Sequence, residues 1–269
     1  MLGVAVLTAT AVVGTGSVAW ADDPDGCTRT HKPLGGDRIV CVDLQESEVV
    51  TGTAGPDTII ITTTFPEAGV PNGAKVLGLG GADVITITGG VGFDGEQEEN
   101  TGGPGIDRDG VVDGGDGADI ITVTGGIGGD DYDNPGDGGD ANRGTILTGG
   151  GLENTVRLTG GDSAAYPDGP GDARGGNGNT GLITGGSGID TIIATGGNGN
   201  ERGGKGNGNG FLGGTINTGA GADVIDLNKG TGPYGAANGA GGSVDGGPGV
   251  NVCALLGPNQ GTIVNCTIV

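Results

Sequence analysis

The sequence predicts an all-β fold, specifically a parallel β-solenoid in which short repeats stack along one axis. Three observations lead to this prediction. A phrase made of a glycine turn, an aspartate and a short alternating strand recurs along the chain, aliphatic residues keep fixed distances from that aspartate, and 69 of the 269 residues are glycine. A single repeat of this kind cannot bury its apolar face, so several copies must stack to form one continuous core.

The recurring phrase is clearest in the segments 78–90, GLGGADVITITGG, and 114–126, GGDGADIITVTGG. We call the aspartate or asparagine of each copy its anchor. Successive anchors lie 26 to 36 residues apart, so about seven irregular copies, joined by long glycine-rich loops, fill the chain from about residue 49 onward. The anchors are Asp57, Asp83, Asp119, Asn154, Asp190, Asp223 and Asn251.

Three columns of mostly aliphatic residues, at fixed offsets from the anchors, form the predicted core. The alternation two and four positions after each anchor indicates a strand with one buried face. Seven positions before the anchors stand Val50, Val76, Val112, Leu147, Ile183, Ile216 and Val244. Two positions after them stand Ile59, Ile85, Ile121, Val156, Ile192, Ile225 and Cys253. Four positions after them stand Ile61, Ile87, Val123, Leu158, Ala194, Leu227 and Leu255.

The composition excludes several classes of protein. Glycine does not recur at every third position, which excludes collagen. The formal net charge of −22 and the pI near 4.1 would repel phosphate backbones and anionic lipids, so binding to nucleic acid or to a membrane surface is not expected. The same abundant carboxylates are candidate ligands for divalent cations.

The first 21 residues are typical of a secretory signal peptide, because an uncharged apolar stretch ends in Ala19-Trp20-Ala21. No Lys or Arg precedes that stretch, so a start further upstream and an uncleaved anchor are alternatives to cleavage after Ala21. We expect a secreted, extracellular protein with no membrane segment after cleavage. The expected organisation is a signal peptide over 1–21, an N-terminal cap over 22–48 and a repeat domain over 49–269.

The four cysteines also indicate export. Cys27 and Cys41 lie 14 residues apart near the N-terminus, and Cys253 and Cys266 lie 13 residues apart near the C-terminus. Four cysteines allow three pairings, and two local disulfides, each stabilising by about 3 kcal/mol, are the simplest choice for an elongated molecule. A zinc site is the alternative, but the chain has no CxxC motif and a single histidine, His31, which we expect at the surface.

The repeats resemble the calcium-binding nonapeptide repeats of RTX, or haemolysin-type, proteins, whose consensus is G-G-x-G-x-D-x-U-x with U a large aliphatic residue. Segments 114–121 and 185–192 match this consensus throughout, whereas 149–154, GGGLEN, is the most divergent copy. The resemblance implies a right-handed parallel β-roll in which calcium lies between the glycine turns of successive coils. The family repeats its motif every nine residues, whereas this chain keeps one motif per coil.

The resemblance implies that calcium is the cofactor and that the anchors, with backbone carbonyls, are its ligands. The implied ligands are Asp57, Asp83, Asp119, Asp190 and Asp223, with Asn154 and Asn251 as weaker neutral oxygens. The sites expected first keep two carboxylates, between Asp57/Asp83, Asp83/Asp119 and Asp190/Asp223. The alternative for every anchor is structural, a carboxylate that accepts hydrogen bonds from its own turn and binds no metal.

The sequence thus predicts a non-enzymatic extracellular structural or adhesive protein whose partners are calcium and a matrix, glycan or cell surface. A threonine column five positions after the anchors resembles an ice-binding face, although Arg157 and Asp226 interrupt the column beside it. That threonine column is Thr62, Thr88, Thr124, Thr159, Thr195, Asn228 and Leu256. A β-helix enzyme acting on polysaccharides is a second alternative, but the 11 Lys and Arg are scattered and no catalytic grouping is discernible.

Overall fold

The computed structural model describes residues 23–33, 35–94, 100–130, 135–164, 173–200, 202–208 and 214–269. None of these described residues is in a helix, so the prediction of an all-β fold is confirmed. No helix that could cross a membrane is found within this part of the chain. The expected signal peptide over 1–21 lies outside the described residues.

Ten strands form the first sheet, which we call sheet A. Its strands, in spatial order, are β1 Cys27–His31, β2 Asp37–Val42, β4 Thr58–Thr62, β6 Val84–Thr88, β8 Ile120–Thr124, β10 Glu153–Thr159, β12 Ile189–Thr195, β14 Val224–Asn228, β16 Val252–Leu256 and β18 Thr267–Ile268. Strand β1 pairs with β2 in antiparallel fashion. The remaining neighbours in this sheet pair in parallel.

Eight strands form the second sheet, sheet B, in which every pair is parallel. Its strands are β3 Val49–Thr51, β5 Lys75–Leu77, β7 Val111–Asp113, β9 Thr145–Leu147, β11 Leu182–Thr184, β13 Thr215–Asn217, β15 Ser243–Asp245 and β17 Thr262–Val264. From β2 onward the chain alternates between the two sheets, and each strand pairs with the strand one repeat further along. This arrangement is solenoid-like, as the repeat predicts.

The core lies between the two sheets and consists of the predicted columns. In β6, for example, Ile85 and Ile87 are buried, whereas Thr86 and Thr88 on the other face are partly exposed. The strand registers place the residues two and four positions after successive anchors beside one another. Both columns are therefore confirmed, and only the last member of the second, Leu255, is partly exposed.

One member of the third column was predicted wrongly. Ile146, and not Leu147, pairs with Val112 on one side and Ile183 on the other. Ile146 is fully buried, while Leu147 lies on the outer, partly exposed face of β9. The cause is one extra residue between β9 and the anchor Asn154. The buried residue therefore lies eight positions before this anchor instead of seven, and a difference of one residue points to the opposite face of a strand.

The pattern of anchor and buried strand begins earlier than the seven copies suggest. Strand β2 pairs in parallel with β4, which places Asp37 beside the anchor Asp57. Ile39 and Cys41, two and four positions after Asp37, are fully buried. The segment 22–48 therefore adds a strand to the solenoid sheet as well as an antiparallel strand outside it.

The two disulfides are formed as predicted, between Cys27 and Cys41 and between Cys253 and Cys266. The first joins β1 to β2 at the N-terminal end of sheet A, and the second joins β16 to the residue before β18 at the C-terminal end. Disulfides of this kind persist in oxidising surroundings, so both pairs are consistent with an extracellular protein.

A second polar column, which the sequence analysis missed, lies where the chain enters sheet B. Each asparagine donates a hydrogen bond from Nδ2 to Oδ1 of the asparagine in the next repeat, over 2.8 to 3.0 Å. The first four members are fully buried. The column consists of Asn142, Asn179, Asn207, Asn238 and Asn259. Because the amides hydrogen-bond to one another, these polar side chains can be buried where the chain enters sheet B without leaving unpaired donors or acceptors.

The glycine-rich loops are hydrogen-bonded arms, with one arm leaving sheet A and another returning to sheet B. A glycine in each arm donates its N–H to a glycine carbonyl in the facing arm, over 2.7 to 2.9 Å. The donors are Gly103, Gly126, Gly139, Gly161, Gly176, Gly197, Gly204 and Gly230, and Gly90 accepts the bond from Gly103. A Cβ on Gly126 would overlap the carbonyl of Gly90, so the contact requires glycine.

The arms also bond to the next repeat. Gly89 and Gly92 donate to the carbonyls of Thr124 and Ile127, each over 2.9 Å. Donors three residues apart match the three residues per turn of an extended polyproline II helix. The described parts of the loops therefore form stacked layers that continue the hydrogen bonding between repeats beyond the two sheets.

The placement of Ile146 gives a test of the register. We expect Ile146→Ala to lower the free energy of unfolding by about 2–5 kcal/mol, because it removes a fully buried side chain from the core. The matched variant Leu147→Ala, on the outer face of the same strand, should cost under about 1 kcal/mol. Urea denaturation followed by circular dichroism measures both, and the reverse order would contradict the register.

Candidate functional site

The anchors form one buried column along the solenoid. All seven are at most 3 % exposed. The backbone N–H of most anchors donates to a side-chain oxygen of the next anchor along the axis: Asp57 to Asp83 (2.7 Å), Asp83 to Asp119 (2.9 Å), Asp119 to Asn154 (3.0 Å), Asp190 to Asp223 (2.9 Å) and Asp223 to Asn251 (2.9 Å). The prediction that repeats bring the anchors together is therefore confirmed.

Two anchors also use their second carboxylate oxygen within their own turn. Asp57 Oδ2 accepts a hydrogen bond from the N–H of Thr53, and Asp190 Oδ2 accepts one from the N–H of Gly186 at 3.1 Å. Asp190 Oδ1 accepts further bonds from the hydroxyl of Thr148 (2.9 Å) and the amide of Asn154 (3.1 Å). These two carboxylates therefore follow the structural alternative, in which an anchor caps its own turn.

Three other anchors keep an unsatisfied oxygen. Within the described part of the chain, Oδ2 of Asp83, of Asp119 and of Asp223 is buried and has no hydrogen-bond partner. A buried polar atom without a partner costs about 1–3 kcal/mol, and more when it is charged. Each of these oxygens therefore calls for a hydrogen-bond donor, a proton or a cation that offsets its burial.

Backbone carbonyls surround the unsatisfied oxygens. A Cβ placed on Gly114 would lie 2.7 Å from Asp119 Oδ2 and 3.1 Å from the carbonyl oxygen of Thr148 in the next repeat. At Gly78 the same position lies against Asp83 Oδ2 and the carbonyl oxygen of Gly114. The missing side chain of the turn glycine therefore leaves a small space between an anchor carboxylate and the carbonyl of the following turn.

The last anchor indicates which chemistry this space favours. Asn251 donates from Nδ2 to the carbonyl oxygens of Gly246 (2.6 Å), Gly247 (3.0 Å) and Asn265 (3.0 Å). Three carbonyls thus converge on the one atom by which this asparagine differs from aspartate. An ionised aspartate at such a position would face those carbonyls with a second acceptor, so a positive group or a proton is needed between them.

Burial raises the pKa values of Asp83, Asp119 and Asp190. Burial raises the pKa of Asp83 to about 7, helped by the charges of Asp119 and Asp57 and opposed by the hydrogen bond from the N–H of Asp57. Burial likewise raises the pKa of Asp119, to which Asp113 and Asp116 add. These three carboxyl groups therefore ionise less readily without a compensating charge.

Asp37, at the N-terminal end of the column, has that compensating charge. Arg29 donates to Asp37 Oδ2 at 2.8 Å, and Nδ1 of His31 lies 2.7 Å from Asp37 Oδ1. Burial acts to raise the pKa of Asp37, but the hydrogen bonds from Arg29 and His31 outweigh it, so the pKa is lowered. His31 is largely exposed, as expected, but its contact with Asp37 was not foreseen.

In each expected two-carboxylate site the two anchors are neighbours in space, but their carboxylate oxygens have different hydrogen-bond partners. Within the described residues, no group of three or more His, Cys, Asp or Glu side chains converges on one point. A cation in the column would therefore take most of its ligands from backbone carbonyls and only one or two from anchors. Asp83 and Asp119, which are neighbours and both have a spare oxygen, fit this requirement best.

The threonine column predicted on sheet A is also in register. Thr88, Thr124, Thr159 and Thr195 lie beside one another on the outer face of four successive strands. In the parallel column two residues earlier, Thr86 and Thr122 are followed by Arg157. The outer face thus carries one longer and one shorter threonine row.

No protein-family model, no curated protein and no solved structure matches the chain. The inference about function therefore depends on the geometry of the column and of the surfaces around it.

The raised pKa values predict how stability depends on pH in metal-free buffer. A carboxyl group whose pKa is higher when folded stabilises the fold fully below its unfolded pKa, 3.8 for aspartate, and this stability is lost as pH rises through the folded pKa, about 7 for Asp83. We expect the melting temperature in EDTA to fall between about pH 4 and pH 8, and to fall less in Asp83→Asn. Scanning calorimetry measures the melting temperature at each pH, with the exposed Asp109→Asn as the control variant. If the melting temperature of Asp83→Asn falls with pH as steeply as that of Asp109→Asn, the prediction is wrong.

Proposed function

We propose that this chain is a secreted, non-enzymatic calcium-binding β-solenoid with an extracellular structural or adhesive role. The proposal includes right-handed winding and about seven coils. The observation that carries it is the set of buried, unpartnered carboxylate oxygens of Asp83, Asp119 and Asp223, which lie in an acidic chain rich in glycine turns. The disulfides support the extracellular location.

The donor set suits calcium. Calcium binds six to eight hard oxygen ligands and accepts irregular geometry, so carboxylates combined with turn carbonyls are appropriate ligands. Asp83, Asp119 and Asp223 would hold the ion with carbonyls of the neighbouring turns, of which Gly114 and Thr148 are examples. Bound calcium would supply positive charge that offsets the buried carboxylates. Asp57 and Asp190 would act chiefly as caps of their own turns.

Calcium should raise the stability of the folded chain. We expect the melting temperature at neutral pH to rise by several degrees on passing from EDTA to about 1 mM calcium, since a ligand at about 100 times its Kd adds about 2.7 kcal/mol. The triple variant Asp83→Asn/Asp119→Asn/Asp223→Asn should keep the fold, because asparagine already serves as an anchor at 154 and 251, and should lose most of the calcium response. Scanning calorimetry with circular dichroism measures both quantities.

The matched control for this experiment is Asp109→Asn, an exposed carboxylate outside the column. It should respond to calcium as the unmodified chain does. An equal melting temperature in EDTA and in calcium would overturn the calcium proposal. An unchanged response in the triple variant would place the calcium elsewhere.

A second candidate function is binding to ice or another ordered surface by the outer face of sheet A. The threonine column in register, Thr88, Thr124, Thr159 and Thr195, favours it, because parallel strands space the hydroxyl and methyl groups evenly, about 4.8 Å apart. Arg157 shortens the companion row and limits the regular area.

Thermal hysteresis and the shape of growing ice crystals test this second function. If the face binds ice, Thr124→Leu should abolish most of the hysteresis, because it replaces a hydroxyl in the middle of the column with a bulkier apolar side chain. Thr145→Leu, on the outer face of sheet B, is the matched control and should leave the activity unchanged. A solution of the unmodified protein without hysteresis would rule the function out.

A further inference from the structure

A basic cleft lies on the returning arms of the C-terminal half. It has a volume of about 400 Å³ and is lined by Arg174, Gly175, Asn177, Arg202, Gly203, Lys205, Tyr234 and Gln260. Three of the 11 basic residues of the chain line this cleft, and none of its lining residues is acidic. The cleft therefore brings three basic residues together in a chain with a net charge of −22.

The stacking of the repeats brings the basic groups together. Arg174 and Arg202 are paired across neighbouring repeats in a parallel bridge, so both side chains are exposed at the same point of successive arms. The Arg202 guanidinium lies 5.8 Å from the centre of the Tyr234 ring, which is within the range of a cation–π contact. The two arginines therefore present their charges in a row along the solenoid axis.

Lys205 is positioned by glycines. Its Cδ would lie 3.1 Å from a Cβ on Gly208, and a Cβ on Gly239 would collide with its side chain. The aliphatic part of the lysine therefore lies across the glycine backbone of its own and the following repeat. Lys205 also lines the cleft that contains the arginines.

Two acidic residues among the described ones border the cleft and bond to the N–H groups of its lining residues. Asp137 Oδ1 accepts a hydrogen bond from the backbone N–H of Arg174 at 2.7 Å. Asp140 Oδ1 accepts one from the backbone N–H of Asn177 at 2.7 Å and one from its side-chain Nδ2 at 2.8 Å. Asp140 Oδ2 accepts a bond from Arg143. Within the described residues, no carboxylate lies within ion-pair distance of the Arg174 guanidinium or the Lys205 ammonium.

We propose that this cleft binds an oligosaccharide that carries carboxylate groups, such as a chain of uronic acids. Arginine guanidinium groups bind carboxylates through two parallel hydrogen bonds. The amide of Gln260 can donate to and accept from hydroxyl groups, whereas the amide of Asn177 bonds to Asp140 and to the N–H of Lys205 and is held in place at the cleft wall. Tyr234, whose side chain is 78 % exposed, offers a broad apolar ring against which a sugar ring can pack.

The charge of the whole chain determines which anions can bind. Densely charged polyanions such as nucleic acids would be repelled by the acidic surface around the cleft. A uronic acid chain carries its charges more sparsely among neutral hydroxyl groups, and repulsion beyond about 8 Å is screened at physiological salt. The proposal requires no calcium and so holds independently of the function proposed for the anchor column.

Isothermal titration calorimetry with hexagalacturonate at about 0.15 M salt tests the proposal, with maltohexaose as the neutral control. We expect binding of hexagalacturonate only, and a loss of affinity of at least about tenfold in Arg174→Ala/Arg202→Ala. Arg157→Ala, an exposed arginine on sheet A, is the matched control and should bind normally. The titration is run once in calcium and once in EDTA. Binding by the cleft is expected in both buffers, so its result does not depend on whether the anchor column binds calcium.

Circular dichroism checks that each variant is folded. If the double alanine variant does not fold, Arg174→Lys/Arg202→Lys replaces it and should weaken binding as well, because lysine keeps the charge but cannot form the paired hydrogen bonds. Equal binding by the wild type and a folded double variant, binding of maltohexaose, or absence of binding would overturn the proposal. Tighter cleft-dependent binding of a heparin hexasaccharide or an oligonucleotide would also overturn it, because the ligand class would then be different.

Discussion

The structure depends on backbone hydrogen bonding between corresponding residues of neighbouring repeats. Each repeat buries only a few aliphatic side chains, too few to compensate for ordering some 30 residues. The missing stabilisation requires that most backbone groups of a repeat meet partners in the repeats before and after it. In the sheets these bonds are parallel ladders, and in the arms they are the glycine contacts between facing and stacked segments.

This constraint explains the composition of the chain. The arms approach so closely that a Cβ at many of their positions would overlap a carbonyl of a neighbouring arm, as it would at Gly126. Glycine is used here for close approach rather than for flexibility, although its conformational freedom makes ordering the arms expensive. The polar residues that remain buried, in the anchor and asparagine columns, are those whose side chains bond from one repeat to the next.

Much of the fold could be predicted because the strand after each anchor has constant length. The columns that contain Ile85 and Ile87, and both disulfides, followed from spacing alone. The error at Leu147 arose where one inserted residue changed the distance to the anchor, and a shift of one residue reverses the face of a strand. The asparagine column escaped notice because arms of variable length separate its members, although Asn142, Asn179 and Asn259 are each followed two residues later by glycine.

The sequence predicted which residues form the candidate site, the anchors, but not the hydrogen bonds that their side chains make. Periodicity alone predicted that the anchors meet in one column. It could not predict that Asp57 and Asp190 cap their own turns while Asp83 and Asp119 keep an unsatisfied oxygen, because this depends on the path of each glycine turn. The cleft around Arg174 and Arg202 was similarly hidden, since the two residues lie in arms whose register only the structure reveals.

The positions of the disulfides have a consequence for how the molecule comes apart. In a stack whose repeats contact only their neighbours, loss of structure begins at the ends, where a repeat has one neighbour instead of two. Cys27–Cys41 joins β1 to β2, and Cys253–Cys266 joins β16 to the residue before β18, so one disulfide lies at each end of sheet A. They therefore act as clamps against fraying, and reduction should open the molecule from its two ends inward while the central repeats persist longest.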